Sequence, residues 1–119
     1  MKTIIIIGGC GFIGGHLVDK LKNKYKLYVL DNQYCGNYKT NNVTYIKDTS
    51  ENIYKHFKNI KIDLIYHFGE FSRINQSFIK TEDCLNFNIK GTLEVIKFCT
   101  DKNIKLIYSA SSAIQNNKQ

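Results

Sequence analysis

The sequence predicts a doubly wound α/β domain, an open parallel sheet of about five strands in the order 3-2-1-4-5. Three observations predict it. Short β-branched runs alternate with segments of helical apolar spacing along the 119 residues, and strands that alternate with helices imply parallel βαβ units with right-handed crossovers. The first strand runs directly into a glycine cluster that opens the first helix. An acidic residue closes the second strand.

Residues 2–7 form a short apolar run ended by glycines, the pattern of a strand buried on both faces. Residues 12–23 place Phe12, Ile13, Leu17, Val18 and Leu21 at helical spacing. Residues 26–30 predict a second strand, followed by a polar, Asn-rich loop from Asp31 to Asn42 that contains Gly36. Residues 43–47 predict a third strand, 50–58 a short helix and 62–67 a fourth strand. After a loop from Gly69 to Lys80, a long helix is expected over 82–101, with Leu85, Ile89, Leu93, Ile96 and Cys99 on one face. Thr81 suits its N-cap, and Glu82 and Asp83 suit the positive end of its dipole. Residues 104–109 predict a fifth strand, and 110–119 carry no helical or strand pattern. With no covering element read after that strand, Ile104, Leu106, Ile107 and Tyr108 are expected to expose apolar area and an open edge.

Composition narrows the function classes. Hydrophobic residues make up 43%, which excludes a disordered chain. No apolar run approaches the roughly 18 residues that span a bilayer. The opening Met1–Ile7 stretch is too short for a signal peptide and leads into glycines rather than a cleavage site. A cytoplasmic protein with no membrane partner is therefore expected. The net charge of +7 comes almost wholly from lysine, Arg73 being the single arginine. The lysines are spread out, and the nearest cluster, Lys20, Lys22, Lys24 and Lys26, fits a solvated helix end rather than a nucleic-acid site. Cys10, Cys35, Cys84 and Cys99 form no C-x-x-C pair and have no histidine at zinc-ligand spacing, so no metal is expected.

Gly8, Gly11 and Gly14 form G-x-x-G-x-x-G between the first strand and first helix. The first glycine permits a tight turn, the second lets backbone approach a pyrophosphate, and the third lets the helix pack on the strand. The helix N-terminus then offers free N–H groups to the anion. A Walker A loop is excluded, because Gly15 and His16 follow Gly14 where Lys and Ser or Thr are required. Asp31 stands 17 positions beyond Gly14, near the spacing of about 20 expected for the acid that binds the adenosine ribose. A carboxylate accepts from a diol and repels a 2′-phosphate, so NAD is favoured over NADP; a loop or capping aspartate is the rival reading.

These residues resemble the opening of the extended short-chain dehydrogenase/reductase family, the NAD-dependent sugar-nucleotide epimerases and dehydratases with a Rossmann-type fold. Gly8–Val18, Leu30-Asp31-Asn32, Tyr66-His67-Phe68-Gly69-Glu70, Asn88-Ile89-Lys90-Gly91-Thr92 and Tyr108-Ser109-Ala110-Ser111-Ser112 resemble its segments in the right order. The resemblance implies roles. Phe12 and Ile13 would give amides to the pyrophosphate. Asp31 with Asn32 would form the acidic turn. Asp48, with Thr49 beside it, would hold the adenine. Phe68, Gly69 and Glu70 would line the nicotinamide-side ribose and phosphate, and Asn88 would hold structure or water near the site. Ser111 would be the catalytic serine, with Ser112 the alternative. Structural rivals stand beside several of these: Asp48 as a cap of the short helix, Asn88 facing solvent, the serines as ordinary strand-end residues. Glu70 and Arg73 depart from the smaller residues common in that segment.

The family's reaction also needs a Tyr-x-x-x-Lys pair, found in relatives beyond the serine segment. Here no tyrosine follows Tyr108, Gln115-Asn116 stands where relatives have Tyr-Gly, and Tyr25, Tyr34, Tyr38 and Tyr45 have no lysine four residues on in a helix beside the site. The expectation is a truncated N-terminal NAD-binding domain spanning 1–119, without the catalytic pair or substrate domain, inactive alone. It would take a nucleotide-sugar only when completed by a C-terminal half, and a homodimer is one assembly the uncovered strand allows. The alternative is a stand-alone dinucleotide-binding module that senses or scaffolds without catalysis.

Overall fold

The computed structural model describes residues 1–8, 12–31, 40–68 and 81–108; for residues 12, 13 and 81–89 it describes the backbone only. Five strands form one sheet: β1 (Thr3–Ile7), β2 (Lys26–Asp31), β3 (Val43–Lys47), β4 (Leu64–His67) and β5 (Lys105–Tyr108). Their order is β3-β2-β1-β4-β5, and every pairing is parallel. Helix α1 (Phe12–Leu21) joins β1 to β2, α2 (Ile53–Phe57) precedes β4, and α3 (Thr81–Lys102) joins β4 to β5. A 3-10 turn over Ser50–Asn52 leads into α2, so the expected 50–58 helix is two short pieces.

The isoleucines of β1 explain its central place. Ile4, Ile5, Ile6 and Ile7 are all buried, and a strand covered on both faces needs such an unbroken apolar run. Alternation then divides the core. Ile4 and Ile6 join Val18, Leu27 and Val29 under α1. Ile5 and Ile7 join Ile53, Phe57, Ile65, Val95 and Phe98 under α2 and α3. Each such side chain contributes about 1.5–3 kcal/mol when fully buried. Edge-to-face contacts of Tyr28 with Phe57 (5.3 Å) and Tyr54 with Phe98 (5.1 Å) lock the second layer.

Local hydrogen bonds set the element ends. Asp63 accepts the Thr3 amide through Oδ2 (2.8 Å) and donates its own amide to the Thr3 carbonyl (2.9 Å). That exchange ties the approach to β4, so the ladder begins at Leu64 and not at 62. Helix α3 closes through Asn103, at φ 57°, while the Ile104 amide reaches back to the Cys99 carbonyl (2.8 Å). This six-to-one bond beside a left-handed residue is the usual way to satisfy a helix's last carbonyls, and Asn tolerates the position.

Two expectations need correction. The buried face of α3 runs through Gly91, Val95, Phe98 and Cys99; Leu93 (54%) and Ile96 (45%) are exposed. Two residues turn a helix by about 200°, so Leu93 and Ile96 lie nearly opposite Val95 and Phe98; of the expected face Cys99 is buried, and the side chains of Leu85 and Ile89 lie outside the described ones. Likewise, Ile104 is buried and Leu106 packs against the same core, because α3 folds back over β5. Ile107 and Tyr108 are exposed as expected. Burial also pushes the Cys99 thiol up to about 11, leaving it a packing residue.

Phe98→Ala is expected to cost about 3–5 kcal/mol of stability, and Leu93→Ala less than about 1 kcal/mol. Denaturant unfolding of both variants checks this. Equal losses would return the buried face to the Leu93 stripe.

Candidate functional site

The carboxyl ends of four neighbouring strands are held level by hydrogen bonds just past the ladder. Gly8 leaves β1 with φ 84°, its amide donating to the Leu30 carbonyl at 3.0 Å. The Asp48 amide, one residue beyond β3, donates to the Asp31 carbonyl at 3.1 Å. The Phe68 amide, one residue beyond β4, donates to the Ile7 carbonyl at 2.9 Å. Gly8, Asp31, Asp48 and Phe68, far apart in sequence, thus share one edge. The left-handed turn and burial of Gly8 leave no room for a Cβ, and Gly14 is buried in the first helical turn. A cradle that admits only glycine suits close approach of a pyrophosphate, so these residues fit a dinucleotide.

Asp31 is 6% exposed at the end of β2. Asp48 lies at the centre of a hydrogen-bond cluster. Its Oδ1 accepts the Thr49 amide (2.7 Å) and Asn52 Nδ2 (2.8 Å), and its Oδ2 lies 2.7 Å from His56 Nε2. Burial favours the protonated acid, yet the bonds from His56, Asn52 and Thr49 outweigh it and hold the carboxyl below the usual carboxylate value. The N-caps of the 3-10 turn and of α2 are Thr49 and Asn52, neither with a side-chain capping bond, and Asp48 instead ties the approach to α2 through the Thr49 amide and the Asn52 side chain. Sequence reasoning missed Asn52 and His56, four and eight positions beyond Asp48; the only signal is that spacing, since Asp48 itself lies before the helical residues.

Phe68 stands beyond β4 with its ring stacked on that of Tyr66, centroids 6.3 Å apart and planes at 5°. His67, to which the sequence assigned no role, is 3% exposed, and among the described residues neither ring nitrogen has a hydrogen-bond partner. Its ring lies 5.2 Å from that of Tyr108. Burial holds the imidazole below its ordinary value of 6.5, because a charge there would go unsolvated. Gly11, Asn32, Gly69, Glu70, Ser111 and Ser112 lie outside the described residues, as do the side chains of Phe12, Ile13 and Asn88.

The sequence does hold one Tyr-x-x-x-Lys, Tyr54 to Lys58, beyond the four tyrosines weighed above. It does not serve the edge. The Tyr54 hydroxyl donates to Asp101 of α3, and that bond pushes the phenol up to about 12, the reverse of what a tyrosinate base requires. The Lys58 carbonyl accepts Lys102 Nζ at 2.6 Å.

Fold and edge together define a Rossmann-type protein of the dinucleotide-binding kind. The chain belongs to the NAD dependent epimerase/dehydratase family, whose model it matches over residues 4–118; the family's cofactor is NAD. Among its relatives are a UDP-glucose 4-epimerase of Lactobacillus helveticus, 31% identical over 92% of this chain and 36% of that protein, and a dTDP-D-glucose 4,6-dehydratase of Dictyostelium discoideum, 33% identical over 89% of this chain and 27% of that protein. The crystal structure of a UDP-glucose 4-epimerase from Thermotoga maritima with UDP-glucose superposes at TM-score 0.83 and 26% identity, over 92% of this chain and 38% of that one. The chain thus spans roughly a third of the length of these relatives. Among the described residues no helix is long and apolar enough to cross a membrane.

His67 generates a pH prediction. Below pH 6.5 the unfolded chain takes up a proton that the folded imidazole refuses. Its share of stability is therefore complete above 6.5 and is lost as pH falls toward the depressed folded value. His67→Phe is expected to flatten the stability profile in that window. An unchanged profile in denaturant titrations from about pH 5.5 to 7.5, one unit either side of the ordinary histidine value, would show that His67 is not the group responsible.

Proposed function

We propose that these residues are the NAD-binding portion of a nucleotide-sugar epimerase or dehydratase. The observation that carries the reading is the common edge of Gly8, Asp31, Asp48 and Phe68, held by three hydrogen bonds between strands. Gly8 and the start of α1 receive the pyrophosphate, with Gly11 clearing its path, Gly14 letting α1 pack on β1, and the Phe12 and Ile13 amides facing the anion. Asp31, with Asn32 beside it, accepts from the adenosine ribose hydroxyls. Asp48 and Thr49 hold the adenine. Phe68, Gly69 and Glu70 line the nicotinamide end, and Asn88 supports it. Held by these residues, NAD would supply the hydride acceptor for a sugar carbon. Ser111, or Ser112 in its place, hydrogen-bonds the sugar oxygen at which the proton moves.

Among the described residues the tyrosine with a lysine four positions on, Tyr54, has its phenol raised rather than lowered and is bonded to Asp101. General acid–base help is worth about 10²–10⁴ in rate, so the chain by itself binds cofactor and turns over no sugar nucleotide. A C-terminal half that brings a tyrosine–lysine pair and a sugar pocket completes the reaction. Assaying the 119-residue chain with UDP-glucose and NAD is expected to yield neither epimer nor NADH. Turnover would assign the base to a residue within the chain.

Calorimetry with NAD and NADP tests the cofactor reading. NAD is expected to bind at least about tenfold more tightly, and Asp31→Ala to weaken NAD by about 10–100-fold while narrowing that gap, each tenfold being about 1.4 kcal/mol. Equal affinity for the two dinucleotides in the unaltered chain would overturn the role of Asp31.

A further inference from the structure

We propose that His56 is a positioning residue for adenine recognition: with Asn52 and the Thr49 amide it fixes the Asp48 carboxylate so that one acceptor position remains for the adenine's exocyclic amine. The inference rests on the reading above that Asp48 meets the adenine.

A carboxylate offers about four lone-pair positions. Among the described residues three are taken. Oδ1 accepts both the Thr49 amide and Asn52 Nδ2, and Oδ2 accepts His56 Nε2. The position left is on Oδ2, the oxygen that His56 holds. Because the partner is an acceptor, Nε2 must carry the hydrogen, as it does in the imidazolium and in one neutral tautomer. The His56 and Asp48 side chains are only 23% and 20% exposed, so little water competes for the pair.

The placement is built from both ends. Asp48 is tied to the cofactor edge by its amide bond to the Asp31 carbonyl. His56 is tied to the core, since it sits on α2 beside Phe57, with the two rings 6.2 Å apart, and Phe57 is fully buried against Tyr28. A carboxylate on a bare loop samples many rotamers, and holding it in place beforehand removes that ordering cost from binding. A fixed acceptor selects a donor. The 6-amino group of adenine satisfies it, whereas the 6-oxo group of hypoxanthine presents a second acceptor, leaving both groups unpaired.

The test compares affinities of the full chain for NAD and for nicotinamide hypoxanthine dinucleotide by calorimetry. The unaltered chain is expected to prefer NAD by about tenfold or more, on the scale of one hydrogen bond to a charged group. His56→Ala is expected to narrow that preference to within about threefold by weakening NAD alone, and His56→Gln, which keeps a donor, to restore part of it. Asn52→Ala should narrow it in the same direction, and serves where His56→Ala does not fold. A merely structural histidine would lower both affinities together and leave the ratio intact; that result overturns the proposal. The underlying reading fails separately: if the unaltered chain does not discriminate, or if Asp48→Ala keeps the preference, Asp48 does not read the adenine. If Asp48→Ala abolishes the preference while His56→Ala and Asn52→Ala leave it whole, Asp48 stands and His56 falls.

Discussion

Gly8 turns left-handed at φ 84° while its amide is still bonded to the Leu30 carbonyl, and the cofactor edge depends on that turn. The constraint is one of space. β1 is buried on both faces and flanked by β2 and β4, so the chain can leave it only along the strand axis, close under whatever lies at the edge. A side chain at Gly8 would disfavour the turn by about 1–2 kcal/mol and fill the space it opens. The same strand passes its last carbonyl, that of Ile7, to the Phe68 amide. One strand end therefore sets the height of both neighbours.

From that edge the Asp48 cluster leads inward. Asp48 bonds to Asp31 through backbone and to His56 through its side chain. His56 neighbours Phe57, Phe57 meets Tyr28 of β2, and Tyr54 of the same short helix packs edge-on against Phe98 of α3. A helix of five residues has too little length to be stable alone. Its order comes from these contacts, and through them the acid at the edge inherits the rigidity of the core.

His67 marks the opposite tendency. Among the described residues neither nitrogen of this buried imidazole has a hydrogen-bond partner, on a face of the sheet otherwise lined by Ile5, Ile7 and Ile65. Its ring stays neutral by burial and lies over Tyr108, one position before the edge residue Phe68. Tyr54 illustrates how spacing misleads. It has its lysine four residues on, yet the bond to Asp101 makes its phenol a weaker acid than usual.

The sequence by itself determined the sheet order, the five strands and the edge positions of Gly8 and Asp31, because each is encoded locally: an unbroken isoleucine run, a glycine where φ must be positive, an acid ending a strand. Even the modest shifts at strand ends came from single hydrogen bonds such as Asp63 to Thr3. Only the tertiary structure decided between the two apolar stripes of α3, since periodicity shows that a helix has apolar sides without saying which one meets the sheet. The choice fell to Val95 and Phe98, whose side chains fill the layer above Ile5, Ile53 and Ile65. Likewise the tie between Asp48 and His56 required α2 to be folded against β2, for a histidine eight residues away acquires a partner only when packing fixes the path between them.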